Sequence, residues 1–496
     1  MSYENFEDKV KEIHILGDAQ GVLSWDQEVM MPEKGIQARS LQNSVLSKVR
    51  HQKITSEELE SYIEELSEEK LDEDQSAVLR EVRRSHERAK KVPESLTEKI
   101  SKKSSENVES WKKAREEDDF EIFAQSLQEM VELKREYAEH IDPDKEAYKV
   151  LFEDYEPYIS FERVEQVIDQ LKSELPEMLE KLENADKELD TSPLEVELSD
   201  EKNMELARKA AELIGFDFEH GRVDTSTHPF TSGNQFDTRI TTRFQDDSVA
   251  ENIAITMHET GHALYNLGVP QEEYGTPLGE PRELSVHESQ SRLWENHVGR
   301  SKSFWNYFVK EMEEVSGKFE DVEPEECYEA VNSIDFDNKI RTEADELSYH
   351  LHIALRFELG RKLINGDIEV EELPGLWNQR MEELLNVEVE SASEGVLQDI
   401  HWGWGNFGYF PTYTMGTVLA AQLYNTAENE LDSLEEGFEN GEFKPLLGWL
   451  RENIHSEGQR LETDELIENV TGEALTADYF IEYVKEKYGT LYNVEL

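Results

Sequence analysis

MHETGHALYNLG, residues 257–268, sets two histidines four apart with a glutamate directly after the first. With 14 His and 112 Asp and Glu among 496 residues, composition alone produces a His-acid-x-x-His string roughly 0.09 times per chain. The flanking residues carry the marks of an amphipathic helix. Ser248 and Glu251 have capping-box spacing, and Gly268 followed by Pro270 supplies a stop. At about 100° per residue, Ala254, Met257, Gly261 and Leu264 fall on one apolar side, while His258, Glu259 and His262 fall together on another. Neutral imidazoles at i and i+4 converge on one metal ion, and a glutamate one residue on points beside it, placed to take a proton from water. The bland alternative is an exposed polar face whose histidines do nothing.

A catalytic zinc needs a third protein ligand and an open position. The metzincin arrangement, a third histidine six residues after the second, is absent because position 268 is glycine. A glutamate from a following helix is the other common solution. The best candidate is Glu288 in ELSVHESQSRLWENHVG (283–299), an amphipathic segment able to lie against the first helix; Glu280, Glu283 and Glu295 are rivals.

Outward from this pair of segments, the chain is long enough for about three average domains and a large core. It has no run of about 18 apolar residues, and its start, MSYENFEDKVKEIHILGD, carries acids and no basic-then-apolar signal, so a soluble, cytoplasmic protein is expected. The single cysteine, Cys327 in EECYEAV, excludes an intrachain disulfide and a thiolate zinc cluster. Without electropositive neighbours it reads as a small core residue. The formal net charge is −61, with acids spread along the whole length. That charge repels nucleic acid and anionic membranes. A compact state so charged also repels itself in dilute buffer, whereas molar salt shortens the screening length to about 3 Å. The expected setting is the salt-rich cytoplasm of a halophile, such as a halophilic archaeon.

Residues 1–185 read as successive amphipathic helices with acidic outer faces, as in SSENVESWKKAREEDDFEIFAQSLQEMVELKREYAEHI (104–141). No period of 20–50 residues repeats. DTSPLEVELSD (190–200) is either a linker or, the favoured reading, a surface loop. TSTHPFTSGNQFDTRITTRFQDD (225–247) breaks the helical pattern, and DTRITTRF within it alternates like a strand, so a short hairpin or small sheet precedes the histidine helix. Helices return from 283 to about 390. QDIHWGWGNFGYFPTYTMG (398–416) then reads as a Gly- and aromatic-rich loop, of a composition that commonly lines sites.

Six motifs stand in this order: HPF (228–230), DTRIT (237–241), HETGH (258–262), HESQ (287–290), IRTEAD (340–345) and GVLQDIHW (395–402), flanked by LSWDQEVMMPEKG (23–35) and FGYFPTY (407–413). On these the sequence resembles the carboxypeptidase Taq family of metallocarboxypeptidases across nearly its full length. The resemblance implies one catalytic domain over 1–496, with 1–185 flanking a groove and 200–496 holding the metal half. It implies a mainly α, gluzincin-like fold: an elongated multi-helix body with a deep active-site groove and a small β-sheet beside the zinc helix, often as a homodimer. It further implies that His258, His262 and Glu288 hold zinc, or cobalt in its place, that Glu259 is the catalytic base, and that Arg341 anchors the terminal carboxylate of a peptide.

Chemistry agrees with those roles and leaves others open. A metal ion polarises the scissile carbonyl while Glu259 moves the water proton to the leaving amine. The oxyanion needs a donor, and Tyr409, Tyr413 and His228 are candidates, with simple packing as the rival role for each tyrosine. Asp237, Arg239 and Thr241 share one face of the expected strand and either hold substrate backbone or brace the sheet. His287, Gln290, Gln398, Asp399 and His401 are candidates for groups that orient the ligands, and His401 also for substrate contact; His401 and Trp402 are equally at home in a core. A guanidinium suits a carboxylate because it offers a bidentate fork. Arg341 is expected on a helix over 340–352, either projecting into the groove or paired with Asp345 four residues on. The leading function is a zinc carboxypeptidase of broad preference. A helical zinc oligoendopeptidase, which needs no cation for a terminal carboxylate, and an acidic non-catalytic binding protein are the alternatives.

Overall fold

A computed structural model describes residues 3–245 and 248–496 of the chain. The first third is helical throughout: α1 (Tyr3–Val29), α2 (Ile36–Ile54), α3 (Glu57–Ser67), α4 (Glu73–Lys91), α5 (Glu94–Glu117), α6 (Glu121–Ile141), α7 (Ala147–Phe152) and α8 (Phe161–Glu183). Several starts are chemically marked. Ser56, Asp72 and Ser160 each accept the backbone N–H three residues on, and Asp72 with Gln75 closes a full capping box. The 104–141 stretch divides into two helices at Asp118, which takes φ 51° and lets α6 fold back along α5.

Residues 190–199 form an irregular connection pinned by buried Leu194 and Leu198. It leads to α9 (Asp200–Leu213) and a three-stranded sheet of β1 (Gly221–Thr225), β2 (Phe230–Gly233) and β3 (Thr238–Thr242). β3 is central, parallel to β1 and antiparallel to β2. The hairpin between β2 and β3 requires glycine at 233, where φ is 142° and a Cβ would meet the Asp237 carbonyl at 2.1 Å. Residues 246 and 247, the end of the polar stretch, lie outside the described residues.

The histidine segment is α10 (Val249–Gly268), whose first turn is capped by Ser248 Oγ accepting the Glu251 N–H. After it come α11 (Leu284–Arg292), continued by a π-helical turn (Leu293–Gly299), then α12 (Lys302–Ser316), α13 (Pro324–Val331), α14 (Ser348–Asn365), α15 (Leu373–Leu385), the short α16 (His401–Trp404) and α17 (Pro411–Glu430). The chain finishes through α18 (Leu434–Glu439), α19 (Lys444–Asn453), α20 (Thr463–Thr471) and α21 (Asp478–Tyr492).

Two expectations about local structure are corrected. The aromatic stretch 398–416 is loop only as far as Phe410 and includes α16; Pro411, its φ preset for helix, opens α17 at the first helical position and puts Tyr413 on that helix. Arg341 sits in a 3₁₀ turn, Arg341–Glu343, and helix resumes only at Ser348. The reason is Asp345, whose carboxylate accepts the N–H of Leu347 (2.8 Å) and Ser348 (3.1 Å) and so starts α14.

The main core packs α10, α11 and α17 face to face through Met257, Leu264, Val286, Leu293, Met415 and Val418, all fully buried. Cys327 belongs to it, and burial pushes its thiol up to about 12. A smaller core joins α1, α3 and α4 through Phe6, Val10, Leu59, Ile63, Val78 and Leu278. The sheet lies on α10, where Thr242 of β3 meets Thr256 at 3.2 Å. No helix among the described residues is long and apolar enough to cross a membrane.

Candidate active site

α10 and α11 can approach closely because Gly261 has no side chain: a Cβ there would lie 2.6 Å from the Gln290 carbonyl oxygen and the Ser291 Cα. Glu156, fully buried, ties the start of α11 to the start of α17 by accepting Ser285 N–H (2.7 Å), Ser285 Oγ–H (2.7 Å) and Thr412 Oγ1–H (3.0 Å). Burial and then the nearby Glu283 push its carboxyl up to about 8, against those hydrogen bonds.

The result is convergence of His258, His262 and Glu288, with ligand atoms all within 4.8 Å of one another. Glu288 Oε2 lies 3.7 Å from His258 Nε2 and 3.4 Å from His262 Nε2. Each ring's other nitrogen is engaged: His258 Nδ1 with Glu295 Oε2 at 2.8 Å, His262 Nδ1 with His287 Nδ1 at 2.5 Å. His287 Nε2 in turn donates to Asn266 Oδ1 (3.0 Å), which assigns the His262 proton to Nδ1 and leaves Nε2 a lone pair. Arg292 donates to Glu288 Oε1 (2.8 Å) and Glu295 Oε2 (3.1 Å). Burial alone would raise Glu288, but the charges of His258 and Arg292 prevail and hold it well below the usual carboxylate range; Glu295 is held at about 2 by Arg292 and His258, again against burial. The rivals Glu280 and Glu283 bond elsewhere, to His14 (2.9 Å) and to Arg282 and Thr463.

Glu259, beside the cluster on α10, is buried, and its Oε2 (2.7 Å) shares the Thr231 Oγ1–H of β2 with its own backbone carbonyl (2.8 Å). A second group of side chains gathers one layer away. Arg341 is buried and grips Asp399 through Nη2 (2.6 Å) and Nε (3.2 Å), while Nη1 donates to Tyr349 Oη at 3.1 Å. Arg356, with no exposure, holds the other Asp399 oxygen at 2.7 Å. Gln398 Oε1 accepts from both the Arg341 N–H and Arg356 Nη2. Asp345 does not pair with Arg341, because Asp399 does and Asp345 caps α14. Tyr349 connects this group to the first, since Arg292 lies 4.9 Å over its ring.

The aromatic stretch closes around Arg341, with Phe410 and Tyr413 rings 5.7 and 5.4 Å from its guanidinium. Tyr409 packs on Tyr413 at 5.2 Å, and burial, then Glu288, push its hydroxyl up to about 12; Tyr413 is also raised by burial. His401 Nε2 is 3.5 Å from Tyr413 Oη, and burial lowers the ring to about 4 although Asp399 opposes it. Trp402 packs between Trp377 and Phe407.

The other sequence candidates make contacts of their own. Asp237 and Arg239 pair with each other at 2.7 Å, and Arg239 stacks on Trp25 at 4.3 Å. Thr241 Oγ1 accepts the Phe230 N–H and the Ser226 hydroxyl, bracing β3 against the turn before β2. His228 is exposed in that turn, and Gln290 bonds His455 behind α11. Sequence reasoning missed Thr231, Arg292, Tyr349 and Arg356. Only Arg292 had a local signal, its i,i+4 spacing from Glu288.

Gly416 of α17 makes room for Glu288: a Cβ there would lie 2.5 Å from both Glu288 Cβ and Cγ. Gly416→Ala is expected to displace the carboxylate and weaken metal affinity by about 10-fold or more, with activity partly restored by excess metal. Unchanged affinity in a metal titration removes Glu288 from the ligand set.

The carboxypeptidase Taq (M32) metallopeptidase family model matches residues 5–488. Thermostable carboxypeptidase 1 of Thermus thermophilus is 38% identical over 505 residues, which cover 99% of this chain and 99% of that protein. Carboxypeptidase 1 of Bacillus subtilis is 32% identical, with 99% of each covered. The crystal structure of an M32 carboxypeptidase from Deinococcus radiodurans superposes with a TM-score of 0.96 at 33% identity, over 99% of each chain.

Proposed function

The chain belongs to the carboxypeptidase Taq (M32) metallopeptidase family and is a metallocarboxypeptidase, and from that premise we propose that it removes single residues from peptide C-termini, with broad preference, using zinc at His258, His262 and Glu288. The observation that carries this reading is the pairing of a two-histidine, one-carboxylate cluster with a buried group of two arginines around one aspartate.

The donor set fits zinc, because two imidazole nitrogens and a carboxylate oxygen are ligands of catalytic zinc sites and both Nδ1 atoms are occupied elsewhere. Cobalt suits the same donors. Bound there, the ion supplies Lewis-acid polarisation and a lowered pKa for water. Glu259, its Oε2 steadied by Thr231, takes the proton of the attacking water and passes it to the leaving amine. Tyr409 and Tyr413 keep their protons, as donors to an oxyanion must, and His228 is the third candidate for that role.

Arg341, Asp399 and Arg356 together hold one positive charge in excess. A buried cation without full compensation is costly, and a peptide's terminal carboxylate compensates it. Each guanidinium has five N–H donors, so Arg341 keeps some for a ligand beyond Asp399 and Tyr349. The test is a matched pair of peptides, one with a free C-terminus and one amidated. The free peptide is expected to shorten by one residue at a time, to stop with chelator and to resume with zinc or cobalt. Cleavage of both peptides at internal bonds would replace this reading with an oligoendopeptidase.

The setting we propose is a salt-rich cytoplasm, supported by the net charge of −61. Screening by salt relieves repulsion among those acids. Melting temperature is expected to climb steeply from about 0.1 M to 3 M KCl, and a flat profile refutes the halophilic setting. A homodimer is proposed on family resemblance, and sedimentation velocity decides it.

A further inference from the structure

α4 reverses the charge balance of the chain. Acids outnumber bases 112 to 51 overall, yet the 19 residues of α4 carry six bases against four acids. Arg80, Arg84 and Arg88 recur every fourth residue, and Arg83 and Lys91 fill the adjacent row, so five cations share a face about 16 Å long. That face lines an open cavity of about 720 Å³, between the end of α3, α4 and the chain from Ile141 to Tyr158, to which Lys70 adds a sixth cation. Glu69, Glu87, Asp142 and Glu153 are its acids, so the lining is net positive.

The partners of these cations are uneven. Arg80 meets Glu81 at 2.9 Å, and Arg88 meets Asp154. Arg83 donates to Ser67 Oγ, Arg84 to the Glu153 carbonyl, and Lys91 to the Ile141 carbonyl at 2.9 Å. Among the described residues these last three have no carboxylate within ion-pair distance, in a protein with acids to spare. A guanidinium has five N–H donors, and Arg83 and Arg84 each use one. Arg80 also donates to the Gln459 and Arg460 carbonyls and Arg88 to the Val150 carbonyl. The unspent donors are therefore chiefly those of Arg83 and Arg84, with the Lys91 ammonium two turns on, and all three residues line one concavity of ligand-binding size.

We propose that this cavity binds a small oligophosphate, a linear molecule carrying two or more phosphate groups. Guanidinium forks match phosphate oxygens in pairs, and a row of cations matches a row of phosphates. The one aromatic ring in the lining, Tyr158, is covered by Arg80 and Arg282 at 5.4 and 4.9 Å, so the cavity offers charge and not a stacking surface for a base.

The probe is inorganic tripolyphosphate, titrated calorimetrically into the full-length metal-loaded protein at the lowest KCl concentration that keeps it folded. One-to-one saturable binding is expected, weakened at least tenfold in the Arg83→Ser, Arg84→Ser double variant. Lys70 is exposed, so Lys70→Glu leaves folding and peptide hydrolysis unchanged and is expected to weaken binding at least threefold. Absence of saturable heat overturns the proposal. Binding undiminished in both variants does so too, because it then belongs to the metal centre or another surface.

Discussion

Replacing Glu259 with glutamine is expected to lower peptide hydrolysis by about 10²-fold or more while leaving metal content and melting temperature near the parent values. The amide keeps the shape of the carboxylate and can still accept the Thr231 hydroxyl through its oxygen, so the local hydrogen bond of 2.7 Å survives. What it loses is the ability to accept a proton from water. The loss should fall on kcat more than on KM, since Glu259 is proposed to act in the chemical step and not in anchoring the substrate. Metal analysis beside the kinetics separates this outcome from a damaged site. Near-normal turnover with bound metal ends the assignment of Glu259 as base.

Arg341→Ala is expected to reduce kcat/KM for free-carboxylate peptides by roughly 2–5 kcal/mol, the range for breaking a desolvated charge pair, which is about 30-fold to several thousand-fold. Asp399 keeps Arg356 at 2.7 Å in the variant, so no buried carboxylate is left alone and the fold should hold. Amidated peptides, already poor substrates, should lose little more. Equal losses for free and amidated peptides, with metal content intact, make Arg341 a structural residue of the 398–413 wall and remove the main support for exopeptidase anchoring.

Much of the site was legible because it is helical and local. The i,i+4 spacing of His258 and His262, the glutamate between them, and the glycine stop at Gly268 are all consequences of a 3.6-residue period, and α10 spans Val249–Gly268. The strand over 238–242 was readable from alternation in the same way. Legibility failed where a segment carries no period. The 340–345 motif looked helical in continuity with the residues after it, but Asp345 spends its carboxylate on the start of α14 and leaves Arg341 in a separate turn.

By itself, then, the sequence determined the helical class, the small sheet ahead of the histidine helix, the i,i+4 spacing of the two histidines and the acidic character of the whole chain. Only the tertiary structure decided which of four glutamates approaches the Nε2 atoms of both histidines, that a π-helical turn brings Glu295 to the Nδ1 of His258, and that Arg341 takes Asp399 as its partner. It also decided that Thr231 steadies Glu259 and that the cations of α4 face one cavity. The physical reason is range. Backbone hydrogen bonding imposes its period on neighbours three and four residues apart, so residues on one helix face announce each other. Contacts between elements depend on how closely two surfaces approach, and here that distance is set by the absent side chains of Gly261 and Gly416, whose packing against α11 no local pattern encodes.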